Sequence, residues 1–381
     1  MKLYEHEAKK IIATYGVPTP RGAIATDRQQ VRDDACKLGG PVVMKAQVLT
    51  AGRGKAGGIL FAQTPSEAYE AATNLFGSKI KGETVSVILV EETLPIKKEL
   101  YFGITVDRLN RCYVAVASQK GGADIEEVAE LEPQKIFKHL INPWLGFRSF
   151  HARQIAQKMG YRGEQMQLLA EILEKMYRVT VEYDAELLEM NPIVETHNGK
   201  FYAADARLIL DDNSLFRHEE FKRIRLQQQR NLSPDEFEAL KNGLEYVKFD
   251  GDIGVAGNGA GLVMATLDMI NLYGGKPANF LDMGGGAPPQ RIKAAFKIVL
   301  SNPQVKVLFV NILGGITQCD EVASGIVQAR KQLASVKPIF VRLVGTNEQE
   351  GRRTLEDAGL PVFESMEEAA KNAVSFARKV H

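Results

Sequence analysis

Cysteine is scarce. Cys36, Cys112 and Cys319 are the only three, they have no metal-ligand spacing, and they are too few for a disulfide framework. This excludes a small stapled scaffold and a thiolate metal centre, and it fits a reducing compartment. Neither sign of charge prevails: 48 Lys and Arg face 47 Asp and Glu, for a formal net charge of +1. No global attraction to nucleic acid follows, and no basic run interleaves with aromatics. No apolar run reaches the roughly 18 residues needed to span a bilayer, and the opening MKLYEHEAKKII lacks the apolar core of a signal peptide. The chain as it stands reads as cytoplasmic, as a processed organellar protein also would. No Gly-x-x-x-x-Gly-Lys-Ser/Thr occurs, so a P-loop is excluded.

What is present is an ordinary globular composition, 45% hydrophobic and 25% charged over 381 residues, enough for two or three domains with proper cores. The stretch around which the rest is organised runs from Leu187 to Leu210. Its arms read LLEMNPIVE and FYAADARLIL about a Thr196-His197-Asn198-Gly199-Lys200 turn. Alternation along the first arm puts Glu189, Asn191 and Ile193 on one face. A three-residue loop with Gly199 left-handed sets Asn191 opposite Asp205, whereas a two-residue Asn198-Gly199 loop sets Asn191 opposite Ala206 and turns Asp205 away. In the first register two hard oxygens meet with Glu189 one step along. That suits a magnesium ion, which needs only one or two protein oxygens when nucleotide phosphates supply others. The alternative is a surface hairpin whose polar face meets water.

Upstream, residues 4 to 15 have helical spacing, followed by a short strand near Gly22, a helix near Asp27 to Leu38, and the apolar run 41 to 48 with Lys45 inside it. Directly after comes Thr50-Ala51-Gly52-Arg53-Gly54-Lys55-Ala56-Gly57-Gly58. Its glycines let amides approach phosphate oxygens, Arg53 and Lys55 add charge from above, and Lys45 holds a phosphate from the strand. Val85 to Glu92 reads as a strand ending in acid, which makes Glu91, the backbone after it and Glu99 candidates for a nucleotide edge. Leu100 to Val106 and Cys112 to Ser118 form an antiparallel pair, and Gln165 to Arg178 an amphipathic helix. His139, His151 and His218 lie in unpatterned polar surroundings, which points to solvated or capping roles.

A polar stretch from about Phe216 to Asp250, containing Gln227 to Asn231 and a Ser233-Pro234-Asp235-Glu236 capping box, reads as the domain boundary. The division is 1–238, with a smaller subdomain at about 21–98, and 239–381. Beyond it five strands each precede a helix, the pattern of a doubly wound parallel sheet. Ligands of such sheets sit at the carboxyl ends of the strands. Three glycine turns fall there: Gly257-Asn258-Gly259-Ala260-Gly261, Asp282-Met283-Gly284-Gly285-Gly286 and Gly314-Gly315-Ile316-Thr317. Leu262 stands where a third fingerprint glycine would, against a nicotinamide cofactor. The first and third turns offer free amides, the Asn258 amide and the Thr317 hydroxyl to a carboxylate or phosphate.

Taken in order, YEHEAKKIIATYGVP, GRGKAGG, LLEMNPIVE, NGAGL, PANFLDMGGGA and NILGGITQCD make the whole chain resemble the beta subunits of succinate-CoA ligase (succinyl-CoA synthetase). The resemblance implies an N-terminal ATP-grasp domain followed by a flavodoxin-like CoA-ligase domain. It implies that Lys45 and Gly52-Arg53-Gly54 hold nucleotide phosphates, that Glu91, Leu94 and Glu99 line the nucleotide site, and that Asn191 and Asp205 bind one Mg2+. Glu189 is then the acid that meets a mobile phosphohistidine, and Asn258 with Gly315-Ile316-Thr317 contacts the substrate carboxylate. The phosphohistidine and CoA site belong to a separate alpha subunit, in an alpha-beta or alpha2-beta2 complex, and none of the six histidines here is phosphorylated. The implied reaction joins succinate to CoA at the expense of ATP, giving ADP, phosphate and succinyl-CoA.

Three departures bear on specificity. Arg207 follows the metal aspartate where many relatives carry lysine. Ser118-Gln119-Lys120-Gly121-Gly122 resembles the variant in malate-CoA ligases and leaves the acid open. Pro20 favours ATP over GTP. Two competing readings are a self-contained ATP-grasp ligase joining an acyl phosphate to an amine, and a magnesium-nucleotide sensor without chemistry.

Overall fold

The computed structural model describes every residue except 51, 223, 225–231, 334–336 and 380–381, and at 333 the backbone alone. The polar stretch Gln227 to Asn231, Ala51 of the glycine run and Val380 at the expected end of the last helix therefore lie outside the described residues. The chain divides into two compact units, Met1–Lys222 and Arg223–His381. Among the described residues no helix is long and apolar enough to cross a membrane. The three thiols are unpaired: Cys36 is exposed, Cys112 half-buried and Cys319 buried.

In the first unit, Gly22–Ala25, Ile88–Glu92, Val42–Ala46 and Ile59–Ala62 form a four-stranded antiparallel sheet in that order. Helices Arg28–Leu38 and Pro65–Leu75 cover it. Each is capped as its sequence dictates, with Asp27 accepting from Gln29 and Gln30 N–H groups and Thr64 accepting from Glu67 N–H. Val31, Ala35, Met44, Ala68 and Ile88 are among the residues of the core that results.

A second sheet runs Phe201–Ala203, Ala185–Thr196, Ile96–Asp107, Cys112–Ser118, Ile136–Ile141, with Arg207–Leu210 also on the Ala185–Thr196 strand. The long helix Gly163–Glu182 packs on its two central strands. Its apolar stripe, Leu169, Leu173, Met176 and Val179, is buried. The strand Ile136–Ile141 and the helices Ile125–Leu131 and Ser149–Lys158 had no clear periodicity in the sequence. His139 and His151, expected to be solvated or capping, lie on two of them. The rings lie 4.4 Å apart at a tilt, Phe147 stacks on His151 and meets His139 edge-on, and His151 Nδ1 accepts the Arg148 N–H at its helix start. Burial pulls both imidazoles below their ordinary pKa. His218 is bonded to Asp184 rather than to solvent.

The organising hairpin has the register of the three-residue loop. Gly199 has φ +78° and donates to Thr196 O, Ile193 lies opposite Ala203, and Glu189 lies opposite Arg207. Between these two ladders the pairing opens. The Asn191–Pro192 peptide is cis, and the Ala204 and Asp205 N–H groups both reach Pro192 O, at 3.1 and 3.4 Å. A register shift against the Ile96–Asp107 strand falls at the same place, so the alternation expected to carry Asn191 and Ile193 on one face is interrupted, and Ile193 is buried.

In the second unit five parallel strands follow the order Asn279–Asp282, Ile253–Gly257, Val307–Gly314, Ile339–Gly345, Val362–Phe363, each preceding a helix. This is the flavodoxin-like winding, with its reversal between Ile253–Gly257 and Val307–Gly314. An antiparallel edge strand, Glu245–Lys248, was not expected from its polar text. The helix Pro234–Lys241 begins with the Ser233–Glu236 capping box and packs on Pro289–Ser301. One face of the sheet buries Phe296, Val299, Val310 and Ile326, and the other Val255, Ile270, Phe309 and Val374.

Candidate active site

Four of the residues singled out in the sequence meet in the first unit. Lys45 projects from the Val42–Ala46 strand, Arg53 from the glycine turn, Glu91 from the neighbouring strand Ile88–Glu92, and Asp205 from the gap in the hairpin. Lys45 Nζ lies 2.7 Å from Glu91 and donates to Ala204 O. Arg53 Nη2 lies 3.0 Å from Asp205 Oδ1, and Nη1 donates to Ala46 O at 3.1 Å. Lys45, Arg53 and Glu91 are almost wholly buried, while the Asp205 side chain keeps 35% of its surface open. Arg53 does not lie above the turn, where it was expected together with Lys55. Arg53 points inward, and Lys55 is exposed, 3.9 Å from Asp124.

Two further charges complete the cluster, and the sequence reading missed both. Glu5 and Lys9 stand one helical turn apart on Glu5–Thr14, and both face inward with Ala8 and Ile12. Glu5 accepts from Lys9 at 2.9 Å, from Lys45 at 3.1 Å and from Arg53. Lys9 also reaches Glu91 at 2.6 Å and Ala204 O at 2.6 Å. The signal was legible: positions 5, 8, 9 and 12 form one helical stripe, and two of the four carry charge. Buried Lys, Glu and Arg are rarely found unpaired.

The electrostatics follow from this packing. Burial works to raise the Glu5 carboxyl, but Lys9, Lys45 and Arg53 hold it well below the usual carboxylate range. Burial would lower Lys45 and Arg53, yet Glu5 and its fellow carboxylates carry both above their ordinary values. Lys9 goes the other way, lowered chiefly by burial. Asp205 is raised, by burial and then by Glu5, against the pull of Arg53 and the lysines.

Glu189 and Asn191 sit beside this cluster on the central strand. Burial raises the Glu189 carboxyl. Arg207 opposes the rise, and Asp205 and Glu126 add to it. Asn191 Oδ1 accepts the Gly122 N–H at 2.8 Å and its Nδ2 donates to Ala123 O at 2.9 Å. Glu99, exposed on the adjacent strand, lies against the same turn. A Cβ added to Gly122 would come within 2.6 Å of its carboxylate, and Gly121 donates to Glu99 O. Leu94 is half-buried in the connector 93–95. Gly52 and Gly54 flank Arg53 in a turn closed by the Gly57 N–H on Gly54 O, and Gly52 has φ +72°.

Among the described residues no group of three or more His, Cys, Asp or Glu is arranged to hold a metal. The amide oxygen of Asn191 and the part-open carboxylate of Asp205 are hard donors of the kind magnesium takes alongside phosphates and water.

In the second unit Asn258 Nδ2 donates to Leu313 O at 2.9 Å and to Thr317 Oγ1 at 3.2 Å, while its Oδ1 accepts the Leu313 N–H. Gly286 N–H donates to Thr317 Oγ1, and Asp282 Oδ1 takes the N–H groups of Gly259 and Gly284. The three turns thus meet at one sheet edge, as expected, but the donors expected to be free clasp one another. At the rim of these turns Gly315 is exposed and Ile316 is 86% exposed.

A glycine turn feeding a buried lysine, beside a strand hairpin with hard oxygen donors, and a separate flavodoxin-like sheet define an ATP-grasp ligase carrying a CoA-ligase domain. The family models agree, with an ATP-grasp domain at residues 2–195 and a CoA-ligase domain at 257–376. A succinate-CoA ligase (ADP-forming) subunit beta of Ignicoccus hospitalis is 50% identical over 99% of this chain and 100% of its own length. The proteins of that name from Pyrobaculum arsenaticum and Herpetosiphon aurantiacus are each 47% identical over essentially full length. The chain belongs to the family of ADP-forming succinate-CoA ligase beta subunits, acid-thiol ligases. An ATP citrate lyase from Methanothrix soehngenii, solved with citrate and coenzyme A, shares the fold at TM-score 0.75 and 19% identity, covering 98% of this chain and 99% of that one.

Proposed function

We propose that this chain is the nucleotide-activating half of a succinate-CoA ligase. ATP, succinate and CoA give ADP, phosphate and succinyl-CoA, reversibly, through a phosphohistidine carried by a partner alpha subunit. The observation that carries the reading is the convergence of Lys45, Arg53, Glu91 and Asp205, from four separate elements, on one connected set of contacts. Lys45 and Arg53 supply fixed positive charge to the phosphates, with the backbone of Gly52 and Gly54 beside them. Glu91, Leu94 and Glu99 line the base and ribose side. Asn191 and Asp205 would hold one Mg2+, which when bound screens the charge of the phosphate chain. Glu189, with its carboxyl raised by burial, holds or releases a proton beside the visiting phosphohistidine. Asn258 braces the Gly315-Ile316-Thr317 rim for the carboxylate. Passing phosphate through a carried histidine keeps an acyl phosphate away from water. The unpaired thiols, one of them exposed, support a reducing, cytoplasmic setting.

A second acid remains in play. The Ser118-Gln119-Lys120-Gly121-Gly122 turn, which resembles that of malate-CoA ligases, bonds directly to Asn191 through Gly122. The test is ATP-dependent thioester formation from CoA with succinate and with malate, using this chain alone and with a candidate alpha subunit. Activity only in the pair, with succinate preferred, is expected. Activity of the chain alone would remove the carried phosphohistidine, and a malate preference would change the substrate.

A further inference from the structure

One carboxylate holds three cations. Glu5, at 2% side-chain exposure, takes Lys9 and Lys45 on Oε1, and Arg53 on Oε2, where Gln47 Nε2 also lies at 3.5 Å. Lys9 is tied again to Glu91 and to Ala204 O, so the pair is anchored on both the sheet and the hairpin. Three carboxylates, Glu5, Glu91 and Asp205, face three cations, Lys9, Lys45 and Arg53. The set is neutral before any ligand arrives. Of these side chains Asp205 alone is substantially open, so Glu5 and Lys9 form the closed end of a cluster whose other end meets solvent.

Stability is a weak reason for such an arrangement, because a buried ion cluster is often no more stabilising than packed apolar side chains. Positions 5 and 9 share their buried stripe with the apolar Ala8 and Ile12. A fixed balance of charge beside the phosphates has a direct use in phosphoryl transfer, where preset charges act without reorganising.

Resting on the nucleotide site proposed above, we propose that the Glu5–Lys9 pair sets the net charge the cluster presents to phosphate, Glu5 neutralising part of the charge of the Lys45 ammonium and the Arg53 guanidinium and Lys9 offsetting the charge of Glu5. Neither residue touches the phosphate in this scheme. Their effect is on the charge that surrounds the two cations that do.

The test uses the full chain, binding of ADP in magnesium chloride by calorimetry, and thermal unfolding of the same samples. Lys9→Met leaves one negative charge unbalanced, and the expected result is about tenfold weaker binding. Glu5→Gln leaves one positive charge unbalanced, and binding should tighten several-fold. The double variant is neutral again and should return to within about threefold of the parent. Opposite signs are the signature, since damage to the fold would weaken both. Single variants that both weaken binding, or that both leave it unchanged while unfolding normally, overturn the proposal. Should Glu5→Gln fail to fold, Lys9→Met and the double variant carry the same comparison. Lys45→Ala in parallel separates the two levels. Weakened binding there with no effect at positions 5 and 9 removes only the present inference. No effect of Lys45→Ala removes the nucleotide site, and this inference with it.

Discussion

Glu189 shows how a single residue can be given different work by its surroundings. It occupies the central strand with Arg207 on one side and Gly103 on the other, and burial raises its carboxyl while Arg207 restrains it. Tyr101, whose hydroxyl a Cβ at Gly103 would meet at 2.7 Å, is raised in turn by its own burial and by Glu189. Burial thus favours the protonated form of this carboxyl more than in an exposed acid. Glu189→Gln keeps the volume and removes the exchangeable charge. Phosphate transfer from labelled ATP to the partner histidine should fall by about 100-fold or more, while magnesium-ATP binding stays within about threefold. Unchanged transfer would leave Glu189 as nothing more than a sheet residue beside the nucleotide.

At the scale of elements, the hairpin Leu187 to Leu210 was legible as two arms about a glycine turn, whereas its register stayed open between two loops. Gly199 adopts a left-handed conformation that either loop would need, and the pairing of Ile193 with Ala203 and of Glu189 with Arg207 puts Asp205 rather than Ala206 in register with Asn191. Gly199→Ala should therefore cost about 1–2 kcal/mol from the backbone, and its Cβ would also meet Gln165 at 2.7 Å. The readout is the urea midpoint, and an unchanged midpoint would mean the loop relaxes without consequence for the register. The five parallel strands were legible for a different reason: each is a short apolar run closed by glycine or a helix cap. Other parts were not. The strand Ile136–Ile141 lies at a sheet edge with a mixed pattern of exposure, and Ser149–Lys158 buries His151 and alanines rather than a strong apolar stripe. Nor does sequence spacing reveal that Arg53 turns inward, or that Asn258 and Thr317 bond each other. Those outcomes depend on Glu5, Asp205, Leu313 and Gly286, partners brought in by the tertiary fold.

For the whole molecule, the consequence is a division of labour between two units with separate cores. The ion cluster proposed to meet the nucleotide draws every one of its charged members from Met1–Lys222, and the clasp of Asn258, Leu313 and Thr317 lies wholly within Arg223–His381. Changes on one side should therefore appear in one set of kinetic parameters. Asn258→Ala removes the bonds to both the Leu313 backbone and the Thr317 hydroxyl, loosening the Gly315-Ile316 rim. In the assembled enzyme the KM for the acid should rise about tenfold or more, by the loss of hydrogen bonds worth roughly 1–3 kcal/mol. The affinity for magnesium-ADP should stay within about twofold. If both constants moved together, the rim would be reporting on the nucleotide as well as on the acid. The two sites would then be coupled through something other than the phosphate carried between them.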